Sequence, residues 1–166
     1  MTNDTRSPRL REALGPVFEG GAGEELLGSR FLPLITLDSD TRVGLDPEAR
    51  WVVAPGDGRA PFRCEPGGEH ALYEVLETKR SEFEARLAEG ARKHGLPDDE
   101  VVLAFPAVEV VRAVLQKGMA YTTRLALLWP LPSELRDLRE DIARVATARE
   151  TPVALKKLAE HLLVPA

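Results

Sequence analysis

The chain has 166 residues, 43% hydrophobic and 30% charged, enough apolar side chain to bury a core and too much for wholesale disorder. Its formal net charge is −5, spread as 8 basic and 11 acidic residues through Gly68 and 14 and 16 from Glu69, so no basic stripe is present to neutralise nucleic-acid phosphates. Cys64 is the one cysteine, no apolar run is long enough to span a bilayer, and Met1 to Leu10 is polar, which together point to a cytoplasmic protein away from membranes.

Residues 1–29 read as a loosely structured lead-in. Ser7 can cap a short helix from Pro8 to Leu14, with Gly15-Pro16 as its stop. Gly20 to Gly23 forms a flexible joint, and Glu24–Leu27 suits one further helical turn. The period then changes. Phe31–Leu37, Arg42–Leu45, Arg50–Ala54 and Pro61–Cys64 are short strand candidates, separated by turns at Asp38-Ser39-Asp40, Asp46-Pro47-Glu48 and Pro55–Gly58. Connections this short predict an antiparallel meander of three to four strands over 31–65.

From Glu69 the helical period takes over. Leu72, Val75, Leu76, Phe83 and Leu87 recur at three- and four-residue steps, predicting one long amphipathic helix over 69–94 that covers the sheet. Residues 97–166 read as a bundle of short antiparallel helices. Val101–Phe105 suits either a helix or a last strand. Helices follow from Pro106 to Lys117, with Val108, Val111 and Leu115 inward, and from Met119 to Trp129. Ser133 then caps a helix carrying Leu135, Leu138, Ile142 and Val145, and Thr151-Pro152 opens the last, with Leu155, Leu158 and Leu162 inward. The expected class is α+β in a single domain, 1–166.

Several patterns bear on chemistry. Asp38-Ser39-Asp40 after a hydrophobic strand resembles the D-x-D loop of haloacid-dehalogenase-type phosphotransferases, where two carboxylates bind Mg²⁺ and one attacks phosphorus. Arg42 stands where that family expects Thr or Val, and the alternating β-α units are missing, so a hairpin turn is the simpler reading. Glu77-Thr78-Lys79 with Asp57 resembles the D…E-x-K pattern of restriction-type nucleases, but the triplet falls in the predicted long helix, where residues two apart diverge. Cys64 with His70, His94 or His161 lacks any flanking nucleophile signature. His70 and Glu74 have metal-compatible spacing without a third ligand, and Lys156, Lys157 and His161 read as a helix C-cap. No catalytic, metal or cofactor site is expected.

Trp51 and Trp129 sit beside polar or proline-rich sequence, where a large aromatic serves either as a rim anchor for a partner or as core packing. Phe31-Leu32-Pro33-Leu34 followed by Val43-Gly44-Leu45-Asp46 is similar to the core of the Smi/Knr-type immunity superfamily. That resemblance implies an inhibitor whose acidic surface blocks a basic toxin, with Asp38, Asp40, Asp57 and Trp51 as contacts. The expectation is therefore a non-catalytic protein-binding module, an immunity, inhibitor or adaptor protein acting on another protein, with Trp129 as a further contact. The alternatives are a metal-dependent phosphotransferase or hydrolase at Asp38/Asp40, and a scaffold subunit that forms a homodimer.

Overall fold

The fold was obtained as a computed structural model, which describes residues 7–26 and 28–165. It is α+β, and the chain divides into two compact units, Met1–Pro66 with Ser81–Phe105, and Gly67–Arg80 with Pro106–Ala166. No helix among the described residues is long and apolar enough to cross a membrane.

The helix expected over Pro8–Leu14 in the first unit is present and longer than expected. α1 spans Pro8–Glu19; Ser7 Oγ accepts from the Leu10 N–H at 3.2 Å, as the cap signal predicted. Gly15-Pro16 does not stop it. Leu10, Leu14 and Phe18 form one buried face at four-residue steps, and burying Phe18 carries the helix past the proline. Glu24–Leu26 forms β1, not a helical turn, because Gly28 at φ +77° folds the chain back onto the next strand. Leu27 lies outside the described residues.

Five strands, one more than the upper expectation, pair antiparallel in chain order: β1, β2 (Ser29–Thr36), β3 (Arg42–Leu45), β4 (Trp51–Ala54) and β5 (Phe62–Arg63). The β2–β3 register shifts between Pro33 and Ile35. Pro33 has no N–H for the ladder, so a bulge belongs there. All four residues of β4 are buried, so both faces of the sheet are covered at that strand. Phe31, Val52 and Ala54 pack on one face; on the other, Trp51 meets Phe105 edge-on at 5.2 Å, and Phe105 meets Phe83 at 4.8 Å.

The long helix expected over 69–94 is two elements. Glu69–Glu77 winds as a 3₁₀ helix, Thr78 is extended at φ −96° and ψ 136°, and α2 begins anew at Arg80 and runs to Lys93. The apolar period is continuous, but it serves two cores: Leu72, Val75 and Leu76 are buried in the second unit, Phe83 and Leu87 in the first. α2 lies directly on β2. A Cβ built on Gly90 would stand 1.9 Å from the Leu34 carbonyl oxygen, so only glycine permits this approach. Val101–Phe105 is helical: α3 spans Asp98–Ala104, with three carboxylates in its first turn facing the positive end of the helix dipole.

The second unit holds α4 (Ala107–Lys117), α5 (Ala120–Leu128), a 3₁₀ turn at Pro132–Glu134, α6 (Arg139–Thr147) and α7 (Val153–Leu163). Val110, Val111, Val114 and Leu115 of α4 are buried, whereas Val108 is only half-buried, and Gly118 ends the helix at φ +72°. Ser133 does not cap a helix, because the carboxylate of Glu134 takes that role, accepting the Leu131 N–H at 3.0 Å and a bidentate pair from Arg80 at 3.0 and 2.7 Å. α6 therefore starts later, at Arg139.

Each unit buries one carboxylate among arginines. In the first, Asp46 accepts the N–H groups of Glu48 and Arg50 at 2.9 Å each and the Nε–H groups of Arg50 and Arg63 at 2.7 and 3.0 Å. It ties the β3–β4 turn to β5. In the second, Asp141 accepts from Arg112 at 3.0 Å and Arg144 at 3.2 Å. Removing Asp46 strands two guanidinium groups and two backbone donors, so Asp46→Ala should lower the unfolding free energy by about 3 kcal/mol in urea titration. Asp57→Ala, which removes an exposed carboxylate, should leave the midpoint unchanged.

Candidate functional site

α5 is short and rich in apolar residues, and its rotation is fixed at its C-terminus. Trp129 caps the helix, is buried, and donates its indole Nε1–H to the Thr78 carbonyl at 2.9 Å. The Arg80 guanidinium lies 4.4 Å from the indole centroid and is itself held by Glu134. With Trp129 turned in, Thr122, Thr123, Ala126 and Leu127 pack inward and Tyr121, Arg124 and Leu128 face out at helical spacing.

α7 runs beside α5 and buries Leu155 and Ala159. Between them lies an open groove of about 610 Å³, lined by Tyr121, Arg124 and Leu128 on one side and Ala154, Leu155 and Leu158 on the other. In this lining Tyr121 is 66% exposed and Leu128 60%, and the sequence neighbours Met119 and Val153 are also exposed. Arg124 is the one charged residue lining the groove, and it has no hydrogen-bond or ion-pair partner among the described residues.

The residues singled out from sequence fall elsewhere. Asp38 and Asp40 sit in the β2–β3 turn, where the Asp40 N–H donates to the Leu37 carbonyl at 2.9 Å and Asp40 adopts φ +63°. The next hairpin is pressed against this turn: Gly56 donates its N–H to Thr41 Oγ1 at 3.2 Å, and a Cβ there would lie 2.1 Å from the Ser39 carbonyl oxygen. Asp57 follows Gly56, so Asp38, Asp40 and Asp57 gather at one end of the sheet, all exposed. The Arg59 backbone N–H and guanidinium hold the Asp57 carboxyl below the ordinary carboxylate range. Among the described residues no three His, Cys, Asp or Glu side chains are grouped to hold a metal ion.

Trp51 and Trp129 are buried and do not stand at an exposed rim. Trp51 is buried under Phe105 and donates Nε1–H to the Ala104 carbonyl at 3.1 Å; Trp129 is buried and satisfied as described above. Both indoles found carbonyl partners inside their own units, which removes the polar reason for reaching solvent. Glu77-Thr78-Lys79 lies at the break between two helices and not inside one, with Thr78 buried between exposed Glu77 and Lys79. His70 and Glu74 do not stack either. In a 3₁₀ helix residues three apart eclipse, so four apart are a third of a turn out of line.

The groove was missed in the sequence, although a signal is present. Tyr121, Leu125, Ala126, Leu127 and Leu128 surround α5 on all sides, more than one core face of a nine-residue helix can bury. No protein-family model matches this chain, and no curated protein or solved structure matches it.

His70 gives a separate handle on the second unit. Its Nε2 is buried without a hydrogen-bond partner among the described residues, its ring stacks on Tyr73 at 5.5 Å, and burial, with Lys117 nearby, pushes its pKa below the ordinary 6.5. The unfolded chain then holds more protons than the fold below about pH 6.5, so stability falls as pH drops through that value and levels off below the folded pKa. Between about pH 7.5 and pH 5.5 the thermal midpoint should decline, and His70→Gln should flatten that slope. An unchanged slope in the variant would assign the decline to another group.

Proposed function

We propose that this protein is a binding module for another protein, an adaptor or inhibitor acting in the cytoplasm, and that it engages its partner through the groove between α5 and α7. The observation that carries this reading is the exposure of Tyr121 and Leu128 in the lining of one groove, beside Arg124. Interface centres combine apolar anchors with a rim of polar groups, and tyrosine and arginine are the residue types that most often dominate binding energy. Tyr121 and Arg124 stand one helical turn apart in the lining.

The inhibitor form of this reading keeps a role for Asp38, Asp40 and Asp57. Their convergence at one end of the sheet supports a steering patch for a basic partner surface, as in the immunity reading. Steering acts on the association rate and is screened by salt, whereas the apolar groove would set residence time.

The test is affinity retention from native cell extract, with the wild-type protein compared with Tyr121→Ala and Leu128→Lys. Both side chains are mostly in water, so the variants should fold with unchanged midpoints. A single stoichiometric partner held by the wild type should be released at least about 30-fold more readily by each variant. A partner retained equally by all three proteins would place the contact elsewhere, and no partner at all would count against a binding module.

A further inference from the structure

We infer that the occupant of the α5–α7 groove is an amphipathic helix of a partner protein, bearing one carboxylate positioned to meet Arg124. This rests on the binding-module reading and specifies the partner's chemistry. The groove is a trough between two helices, and such troughs take a third helix through residues at i, i+3, i+4 and i+7. Tyr121 and Leu128 are seven residues apart on α5, about 10 Å along the axis, the same stride as a partner's i and i+7 anchors. On the facing wall, Ala154 and Leu158 repeat at four residues and Leu155 closes the floor.

Charge decides what the middle of that helix must carry. Arg124 lies between Tyr121 and Leu128, has no partner among the described residues, and no acidic side chain lines the groove. A wholly apolar helix would strip water from a guanidinium and leave it unpaired, which is strongly unfavourable. A basic residue would add repulsion. A carboxylate resolves both, and a guanidinium can hold it with two parallel hydrogen bonds.

A second copy of this chain is a poorer occupant. A two-fold pairing centred on the groove would set Arg124 against its own copy, with no carboxylate in the lining to meet it. The chain's net charge of −5 also disfavours a broadly acidic partner, so the complement is one placed carboxylate and not an acidic tract.

Three labelled helical peptides test this with the full-length protein. They share apolar residues at i, i+3, i+4 and i+7 and carry glutamate, glutamine or lysine at a central position flanking that stripe, on the side that faces Arg124; binding is read by fluorescence anisotropy. The glutamate peptide should bind about tenfold tighter than the glutamine peptide, with lysine weakest. In Arg124→Glu the order should invert, a charge-swap result that loss of fold cannot imitate. Equal affinities across the three peptides, or a glutamate preference that persists in Arg124→Glu, would overturn the inference. So would failure of all three to bind while Tyr121→Ala and Leu128→Lys still release the native partner; the binding-module reading would then survive without the helix. A concentration-dependent dimer of the wild type that competes with the glutamate peptide would overturn it in favour of self-association.

Discussion

The indole of Trp129 is held at its one polar atom by the Thr78 carbonyl and covered on its face by the Arg80 guanidinium. A side chain fixed at both points cannot rotate, and it sits at the C-terminal cap of α5. The direction in which α5 presents every other residue follows from that. Because successive residues of a helix advance by about 100°, turning Trp129 inward turns Leu128 outward, and Arg124 and Tyr121 with it. The same arrangement orders the chain around it: Glu134 holds Arg80 and accepts the Leu131 N–H, so the segment between α5 and α6 closes over the tryptophan.

The two buried carboxylates show a common way of organising short elements. β3, β4 and β5 comprise four, four and two residues, too little ladder to be stable alone. Asp46 compensates by gathering four donors from the β3–β4 turn and from β5. Asp141 does the corresponding work among helices, linking α4 and α6 through Arg112 and reaching Arg144 one turn on. In both places arginine is the partner, whose fixed fork of donors suits a carboxylate that must be wholly satisfied where water is absent. The groove of α5 and α7 inverts this pattern, with an arginine and no carboxylate.

The meander was legible because turns announce themselves chemically. Asp38-Ser39-Asp40, Asp46-Pro47-Glu48 and Pro55–Gly58 are turn sequences, and β3 falls on the residues the alternation indicated. β1 was not legible, since three residues of mixed character carry no period and become a strand only when β2 is there to pair with. The apolar rhythm from Leu72 to Leu87 was read as one helix because periodicity records that residues are buried and not in which core. Among site residues, the convergence of Asp38, Asp40 and Asp57 depends on two hairpins meeting at Gly56, a contact with no sequence signature.

By itself the sequence determined the α+β class, the antiparallel sense of the sheet, the capped start of α1 and the glycine end of α4, all of which depend on residues within a few positions of one another. Tertiary structure decided the rest: that the proline at 16 is carried inside a helix, that the helical run divides at Thr78, that both tryptophans are buried, and that α5 leaves Tyr121, Arg124 and Leu128 in solvent. Those outcomes turn on which partner a side chain finds across the fold. Composition fixes how much apolar surface a helix carries; only the packing of Trp129 against Thr78 and Arg80 fixes which part of it remains uncovered.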